Sequence, residues 1–472
     1  MKEHVECPLY EKCGGCQRLN QSYSQTLVDK LAYVNRCFQK EKLPITVKTI
    51  LEAKQNTAYR NKMIVGFQRK NGRISYGFYE ENSHQIVAQT YCMMHSLLQN
   101  QIASQICYLM EKMHLLPFDE DRRVGLIRYA LIKEAVSTQE ILITIVVGSE
   151  QFGGRNDFVK ALRSDFPQIK TIIQNVNPRK TSVVLGDKEK VLYGPGYIQD
   201  ELCGFRFQIT SKSFYQVNPY QTALLYQTAI DCCQFTKQDV VLDAYSGIGT
   251  IGMIVSPFVQ TVLSVENNKQ ASLAAIENVK RNQVKNVRII CDDATNYIKI
   301  LALEKTKIDV VIMDPPRTGS TSAFLKSLSE LKPKQIVYIS CGPDTLARDL
   351  SILLKLGYYV QKIICVDMFC WTNHVETVVL LSHKSMDKII NVKVDFDNDY
   401  GKRFIEQVVE KVDSKKSKGK VTYKMIQQYI EEKYEFKVHT AYIAEVKRPR
   451  SHPTLKMVNA IKEALKYYGI IQ

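Results

Sequence analysis

The feature that most constrains the fold is a regular alternation that begins near residue 216. From there, short apolar segments are separated by segments of helical periodicity, and each apolar segment suits one buried strand. Strands separated by helices form βαβ units, which build a doubly wound parallel α/β sheet. Two last segments, 358–369 and 374–383, leave no room for a helix between them and predict an antiparallel hairpin closing the sheet. The parallel segments are VVLD (240–243), TVLSVE (261–266), VRII (287–290), IDVVIMD (308–314) and QIVYIS (335–340).

The first half of the chain predicts a different architecture. Residues 60–92 alternate apolar and polar side chains around Asn71-Gly72, a dipeptide typical of a tight hairpin turn. Strand-like segments continue to about residue 215, including LITIVVG (142–148) and KTSVVLG (180–186). We therefore expect a β-rich, antiparallel region before the parallel sheet.

These patterns divide the chain into four regions. We expect a cysteine and β-hairpin region (1–95), a central β-rich domain (96–215), the parallel-sheet domain (216–384) and a small helical appendage (385–472). A helix is expected within the first region, over residues 22–39, from its apolar periodicity. The appendage is basic, since residues 411–450 hold eleven Lys or Arg against five Asp or Glu.

The overall charge favours a polyanionic partner. Sixty-four Lys and Arg against 48 Asp and Glu give a net charge of +16, which attracts RNA, DNA or an anionic surface. The most apolar run, ILITIVVG (141–148), is far too short to span a membrane, and the first residues lack the apolar core of a signal peptide. We therefore expect a cytoplasmic protein with no membrane partner. Thirteen cysteines in such a chain predict thiols and metal ligands, not disulfides.

A cofactor site is predicted where the first parallel strand ends. Asp243 ends that strand, and Gly247, Gly249 and Gly252 follow as G-x-G-x-x-G, which lets a loop approach a ligand at a helix N-terminus. A nicotinamide-binding fold would share this spacing. The carboxylate of Asp243, four residues before Gly247, and the lack of a second nicotinamide pattern favour another adenosine cofactor.

Acidic residues at the next strand ends extend this prediction. Glu266 ends the second strand, where a carboxylate can accept both ribose hydroxyls of an adenosine. Asp292 and Asp293 follow the third strand and could meet the adenine amine, although exposed turn acids are the alternative for these two. Acids at three successive strand ends suit S-adenosylmethionine, which is cationic at sulfur.

A chemical site is predicted at the fourth and fifth strand ends. Asp314-Pro315-Pro316-Arg317 forms a stiff loop, because each proline fixes φ. Cys341, followed by Gly-Pro, is expected to be exposed at a strand-to-loop corner, unlike the usual buried cysteine. Methylation of a uracil at C5 would use such a thiol, because addition to C6 makes C5 nucleophilic. Glu376, at the start of an apolar strand, would then remove the C5 proton; a solvent-facing edge carboxylate is the alternative.

Six motifs in order resemble the RNA uracil-5-methyltransferase family, and most of all its ribosomal RNA branch. The likeness spans residues 7–384. It implies a Rossmann-like S-adenosylmethionine methyltransferase domain, with Cys341 as nucleophile and Glu376 as proton acceptor. It also implies cofactor contacts from Gln216, Tyr245, Glu266 and Asp314. The motifs are SFYQVN (213–218), DAYSGIGTIG (243–252), VEN (265–267), DPPR (314–317), SCGP (340–343) and HVET (374–377).

The N-terminal cysteines predict a metal site. Cys7, Cys13 and Cys16 form a tight chelating loop whose spacing does not separate an iron–sulfur cluster from zinc. The resemblance implies a 4Fe–4S cluster with Cys92 as its fourth ligand, and His95 is a competitor for that role. We interpret the cluster as structural or RNA-positioning, because radical enzymes usually have a different cysteine spacing.

The sequence departs from the family at both ends. Many members begin with a small β-barrel RNA-binding domain, whereas Cys7 lies almost at the start here, and residues 385–472 lie beyond the usual end. Our hypothesis is that the basic last region holds RNA instead. Arg60 and Lys62 are expected to contact phosphates. Phe78 and Tyr79 could stack on bases, with packing inside the sheet as the alternative.

Several alternatives remain open from sequence. A cytosine-5 methyltransferase shares the thiol chemistry, although HVET favours uracil. A non-catalytic RNA-binding or ribosome assembly factor is another class, disfavoured because the predicted site residues are intact. Large-subunit (23S) ribosomal RNA is favoured as substrate over transfer RNA because of the cysteine pattern. A monomer is expected by default.

Overall fold

The computed structural model describes residues 2–80, 83 and 85–383. Within them, the helices are α1 Tyr23–Lys40, α2 Leu97–Lys112, α3 Arg155–Asp165, α4 Pro219–Cys232, α5 Thr250–Val255, α6 Lys269–Arg281, α7 Ala294–Leu303, α8 Ser322–Leu331 and α9 Pro343–Lys355. The predicted appendage (385–472) lies outside the described residues.

The strands belong to two large sheets and one separate hairpin. In chain order they are β1 Ile50–Leu51, β2 Lys62–Lys70, β3 Arg73–Tyr79, β4 Ile86–Ala88, β5 Ile127–Glu134, β6 Ile141–Val147, β7 Ile169–Val176, β8 Lys188–Tyr193, β9 Ile198–Leu202, β10 Phe205–Ile209, β11 Val240–Ala244, β12 Thr261–Glu266, β13 Val287–Cys291, β14 Val310–Met313, β15 Gln335–Ser340, β16 Tyr358–Val366 and β17 Glu376–His383.

The predicted parallel sheet is confirmed. Its order is β1-β16-β17-β15-β14-β11-β12-β13, and β17 runs antiparallel to both of its neighbours. Every strand predicted from an apolar segment after residue 216 is present, and helices cover both faces of the sheet. The core of one face contains Leu242, Val311 and Tyr338, and the core of the other contains Val241, Ile312 and Val337. Successive side chains of a strand point to opposite faces of the sheet, so neighbouring residues belong to different cores.

The first helix belongs to this sheet's core, which the sequence did not indicate. Val34 and Phe38 of α1 are fully buried against Leu346 and Leu350 of α9. The short strand β1 then pairs in parallel with β16 at the edge of the sheet. The chain therefore contributes to this domain before it enters the β-rich region.

The β-rich region forms a second sheet, in the order β4-β3-β2-β5-β6-β7-β8. Its pairings are antiparallel except for β6 with β7, which are parallel and joined by α3. The turn at Asn71-Gly72 is confirmed, since both residues have positive φ between paired Lys70 and Arg73. Because β2, β3 and β4 share a sheet with β5–β8, the expected boundary between residues 95 and 96 falls inside one structural unit.

One predicted strand, residues 180–186, is wrong. The segment has no strand, and β8 begins only at Lys188. The side-chain amide of Asn177 donates to the carbonyls of Val183 and Val184, so a side chain takes the place of a strand partner. Apolar alternation in KTSVVLG resembled a strand, but Val183 is 56% exposed.

Strand direction brings the functional segments together. The carboxyl ends of β11, β12, β14 and β15 lie at one edge of the sheet, as parallel strands require. The antiparallel strand β17 starts at the same edge, because Thr377 pairs with Ser340. Consequently Glu376 begins its strand where Cys341 follows the end of β15.

Candidate active site

A cavity of about 720 Å³ lies at this edge. It is lined by seven residues predicted from sequence to bind cofactor or to perform chemistry. They are Gln216, Tyr245, Gly247, Glu266, Asp314, Cys341 and Glu376. Asp243, which was also predicted, does not line the cavity.

The cofactor end of the cavity is built by the turn after β11. Tyr245, Gly247 and Gly249 all have positive φ, and α5 begins directly after them. Such a backbone favours glycine and turns successive amides toward one side. Glu266 accepts hydrogen bonds from the backbone amides of Gly247 (2.9 Å) and Asn268 (2.7 Å). A carboxylate has about four acceptor positions, so Glu266 is held in place and still has capacity for a ligand hydroxyl.

Asp243 has a different place from the one predicted. It is buried beneath the glycine turn, where its Oδ2 accepts from the Gly252 amide (2.9 Å) and the Ser264 hydroxyl (3.0 Å). Burial raises its pKa to about 7. Gly252 is required here, because an added Cβ would lie 2.2 Å from the Ser264 hydroxyl oxygen. Asp243 therefore fixes the start of α5 against β12 and supports the cofactor wall from behind.

The acids after β13 also have a structural role. Asp293 is the N-cap of α7 and accepts from the amides of Thr295 and Asn296. Asp292 accepts from the amide of Asp293. Neither side chain lines the cavity, which agrees with the turn-acid alternative.

Gln216 is held in the cavity wall by the other sheet. Its carbonyl accepts from the side chain of Asn61, which precedes β2, and the Asn61 amide donates to the carbonyl of Val217. The buried ammonium of Lys133 donates to the carbonyls of Thr210 (2.7 Å) and Ser213 (2.8 Å). The second sheet therefore fixes the loop 210–217 by hydrogen bonds to its backbone.

The chemical end of the cavity contains a thiol and two carboxyl groups. Cys341 is half-buried, and burial, Glu376 and Asp314 raise the pKa of its thiol to about 11, while Arg317 lowers it. Glu376 is only 4% exposed, and its pKa is raised to about 8, mainly by burial and then by Asp314. The pKa of Asp314 is raised to about 7 by burial. Burial therefore favours the protonated forms of these groups, and Arg317 is the cation that opposes this at Cys341 and Glu376.

Several cavity residues were not singled out from the sequence. Phe214 is 67% exposed at the cavity, and Phe369 and His374 contact each other edge to face at 5.8 Å. Phe214 and His374 belong to the quoted motifs SFYQVN and HVET, so motif membership was the signal available. Phe369 lies in the loop after β16, and the sequence offered no such signal for it.

The predicted metal ligands lie in one neighbourhood. Cys7, Cys13, Cys16 and Cys92 are each half-buried, and charge on one raises the pKa of others in the set. Burial raises the pKa of Cys13, Cys16 and Cys92, and the Arg60 guanidinium opposes this. Within residues 2–80, 83 and 85–383, however, no group of three or more His, Cys, Asp or Glu side chains is arranged to hold a metal ion. The metal site therefore stays a prediction.

The predicted RNA contacts also fall partly inside the protein. Arg60 donates to the carbonyl of Gly15 (3.3 Å), next to the cysteines. Phe78 stacks on His95 at 5.5 Å, and the hydroxyl of Tyr79 donates to that of Tyr129. These aromatic rings pack within the sheet, as the alternative interpretation expected.

The fold and cavity together define a class of enzyme. A glycine turn, an acid at the second strand end and a thiol facing a carboxylate at one sheet edge suit group transfer from an adenosine-containing cofactor. Comparison with known sequences identifies the family. The family model for tRNA (uracil-5-)-methyltransferase matches residues 22–384. The chain therefore belongs to the RNA (uracil-5-)-methyltransferase family, and it is an S-adenosylmethionine-dependent RNA methyltransferase.

Relatives agree with this identification. An uncharacterized RNA methyltransferase of Halalkalibacterium halodurans is 34% identical over 381 residues, covering 80% of this chain and 83% of the relative. Another, of Oceanobacillus iheyensis, is 37% identical over 385 residues, with the same shares covered.

A solved structure confirms the fold class. The tRNA (uracil-54, C5)-methyltransferase of Pyrococcus abyssi, in complex with S-adenosyl-L-homocysteine, matches with a TM-score of 0.66 and 25% sequence identity. The match covers 80% of this chain and 87% of that chain. In the described part of our chain, the helices are all too short or too polar to cross a membrane.

Proposed function

We propose that this enzyme methylates C5 of a uridine in RNA, with Cys341 as covalent nucleophile and Glu376 as general base. The observation that carries the proposal is the antiparallel pairing of Ser340 with Thr377. This pairing sets Cys341 and Glu376 on the wall of one cavity that also contains Glu266. One cavity therefore contains a thiol, a carboxyl group and a second acid, which supports the proposed roles of nucleophile, base and adenosine contact.

The reaction follows from these groups. The Cys341 sulfur forms a bond to uracil C6, and the electron pair of the C5=C6 bond moves toward the C4 carbonyl. S-adenosylmethionine would supply the methyl group that bonds to C5, and its methyl–sulfur bond would break to leave S-adenosylhomocysteine. Glu376 then takes the proton from C5, the C5=C6 bond re-forms, and the C6–S bond breaks to return the thiolate.

The electrostatics of the cavity suit this order of events. A thiol with a pKa of about 11 needs assistance to ionise, and Arg317 is the cationic group that provides it. A carboxylate with a pKa of about 8 is a stronger base than an ordinary glutamate. The positive sulfur of the methyl donor would lower both pKa values once it is bound, because an opposite charge favours the ionised form.

Cofactor binding is proposed for the other end of the cavity. Glu266 would accept from the ribose hydroxyls, and Gln216, Tyr245 and Asp314 would contact the amino-acid portion and the transferred methyl group. Gly247 would give the cofactor close access to the backbone. All five residues line the cavity, which supports this assignment.

A direct test is product analysis. Incubation of the purified enzyme with unmodified RNA and labelled S-adenosylmethionine should give labelled 5-methyluridine after digestion to nucleosides. Labelled 5-methylcytidine would mean that the related cytosine reaction is the real one. No labelled base with any RNA would favour a non-catalytic RNA-binding or assembly factor.

We favour large-subunit (23S) ribosomal RNA as the substrate. The support is the cysteine pattern at residues 7–16, which resembles the ribosomal branch. Transfer RNA is the second candidate, because the Pyrococcus abyssi enzyme is named for a tRNA uridine. Mapping 5-methyluridine in both RNAs from a strain lacking the gene distinguishes them. A cytoplasmic location and a monomeric state stay predictions.

We also propose that Cys7, Cys13, Cys16 and Cys92 hold a 4Fe–4S cluster. Four half-buried thiols in one neighbourhood, with the Arg60 guanidinium opposing the effect of burial on the pKa of Cys13, Cys16 and Cys92, support this donor set. Protein purified without oxygen should contain about four iron and four sulfide per chain, as the cluster formula requires. Zinc in place of iron and sulfide would contradict the cluster and support a zinc site.

A further inference from the structure

The loop that precedes the proposed base is held in an unusual conformation. Residues 367–375, here called the base loop, connect β16 to β17 and contain no helix or strand. At its centre, Trp371 is fully buried and has a φ of 64°. A bulky residue rarely adopts this left-handed conformation, which persists only where the surroundings fix it. The base loop is therefore kept in place by other parts of the molecule.

The strained residue is fixed by the N-terminal segment. The Trp371 carbonyl accepts hydrogen bonds from the backbone amides of Gln17 (3.0 Å) and Arg18 (3.1 Å). Its indole nitrogen donates to the carbonyl of Asn56 (2.8 Å), and its ring lies 5.3 Å from that of Tyr23. Every one of these contacts comes from residues 17–56, more than 300 positions earlier in the chain.

A buried ion pair holds the beginning of the same loop. The Lys30 ammonium of α1 lies 2.5 Å from Asp367 Oδ1, and both side chains have 0% exposure. Lys30 also donates to the carbonyl of Phe369 (3.0 Å), which lines the cavity. The Tyr23 hydroxyl donates to Asp367 Oδ2 (2.6 Å). Breaking a buried pair leaves an uncompensated charge, so this contact is a strong constraint on the loop.

A third contact fixes the end of the loop at the surface. Arg18 Nε donates to the Asn373 side-chain oxygen at 2.7 Å, one residue before His374 and three before Glu376. Arg18 also pairs with Asp29 on the exposed face of α1. The N-terminal segment therefore contacts the base loop at its start, middle and end.

We propose that residues 17–30, here called the N-terminal strap, position Glu376 for proton removal from C5. In this proposal Lys30 and Arg18 are positioning residues, which act through the base loop and do not touch the substrate. The inference rests on the proposed role of Glu376. It gives the first helix, which lies in the catalytic domain's core, a part in the last step of the reaction. That step breaks the C5–H and C6–S bonds, and it requires the carboxylate to be aimed at C5.

The strap proposal predicts which step fails. In Lys30→Met, addition of Cys341 and methyl transfer should continue, while proton removal slows. Turnover should then fall on the order of 10- to 100-fold, the usual cost of a misplaced catalytic group. The enzyme should accumulate a covalent adduct with ordinary uridine RNA, seen as a band of lower mobility on a denaturing gel.

Two further variants keep the test decisive if Lys30→Met does not fold. Lys30→Met combined with Asp367→Asn removes both buried charges and leaves none uncompensated. Arg18→Gln removes the contact with Asn373 together with the surface pair to Asp29, and should reduce turnover by about threefold to tenfold with some adduct. Lys280→Met is the matched control, because Lys280 pairs with Glu277 on the exposed face of α6 and neither residue lines the cavity.

The outcomes separate a positioning role from a merely structural one. Adduct accumulation with unchanged affinity for S-adenosylhomocysteine and RNA supports the proposal. Folded variants that turn over like the control overturn it, and so does loss of cofactor binding in step with turnover. If the wild-type enzyme forms no adduct even with 5-fluorouridine RNA, it is the covalent mechanism that fails, which is a different result from failure of the strap.

Discussion

The sheet edge and the N-terminal cysteine region are two predicted sites with different outcomes. At the sheet edge, residues from positions 216 to 376 meet in one cavity because strand direction and register bring them together. The cysteines lie in turns before α1 and after β4, where no ladder of hydrogen bonds fixes their spacing. Their thiols share a neighbourhood, yet no ligand group is formed among the described residues. Regular structure therefore fixes the geometry of the first site, whereas the cysteine site stays a prediction.

The largest effect that would sharpen this comparison is expected at Glu376. Glu376→Gln keeps the size of the side chain and removes the base, so turnover should fall on the order of 10²- to 10⁴-fold. Covalent adduct with ordinary RNA should accumulate in rapid-quench experiments. Turnover within a few-fold of wild type would show that another group removes the proton.

A smaller effect is expected at the cofactor end of the same edge. Glu266→Gln would weaken charge-assisted hydrogen bonds to the ribose, which are worth about 1.5–3 kcal/mol, and raise KM for S-adenosylmethionine on the order of 10- to 100-fold. The control is Glu277→Gln on exposed α6. An unchanged KM in Glu266→Gln would remove the ribose assignment.

The pH dependence tests whether the edge residues act as one unit. Glu376 is protonated below a pKa of about 8 and Cys341 below about 11, and both must lose protons to act. Therefore kcat/KM, which reports the free enzyme, should rise with pH from 6 to 8, by about tenfold per unit for each required proton loss and so by up to about a hundredfold per unit for two. Stopped assays across this range measure it. A flat profile would contradict the buried, protonated carboxyl.

The smallest effect on chemistry is expected in the cysteine region. Cys16→Ser should lose bound iron, and its catalytic step should slow less than that of Glu376→Gln, because the thiol does not line the cavity. Iron content and single-turnover rates measure the two effects separately. Exposed Cys203→Ser is the matched control and should keep its iron. A Cys16→Ser enzyme as slow as Glu376→Gln would erase the distinction between the two regions.

How much the sequence predicted depended on the kind of signal. Period and strand length predicted the parallel sheet and its closing hairpin, because buried strands require apolar runs. The strand β1 has only two residues and shows no periodicity. The sequence therefore did not predict that α1 and β1 belong to the domain of the parallel sheet. Asp243 resembled a cofactor ligand, because the sequence does not distinguish a carboxylate that faces a cavity from one that is buried behind it. In the structure Asp243 is only 1% exposed. The pair Lys30–Asp367 was also invisible, since its partners are 337 positions apart.

The central claim is that Cys341 bonds covalently to uracil C6, and trapping tests it most directly. With 5-fluorouridine RNA and S-adenosylmethionine, no proton can be removed from the fluorinated C5, so the adduct should persist on a denaturing gel. Cys341→Ala should abolish that adduct, while Cys291→Ala, an exposed cysteine outside the cavity, should leave it intact. A wild-type enzyme that forms no adduct, or a Cys341→Ala enzyme that still forms one, would contradict the account.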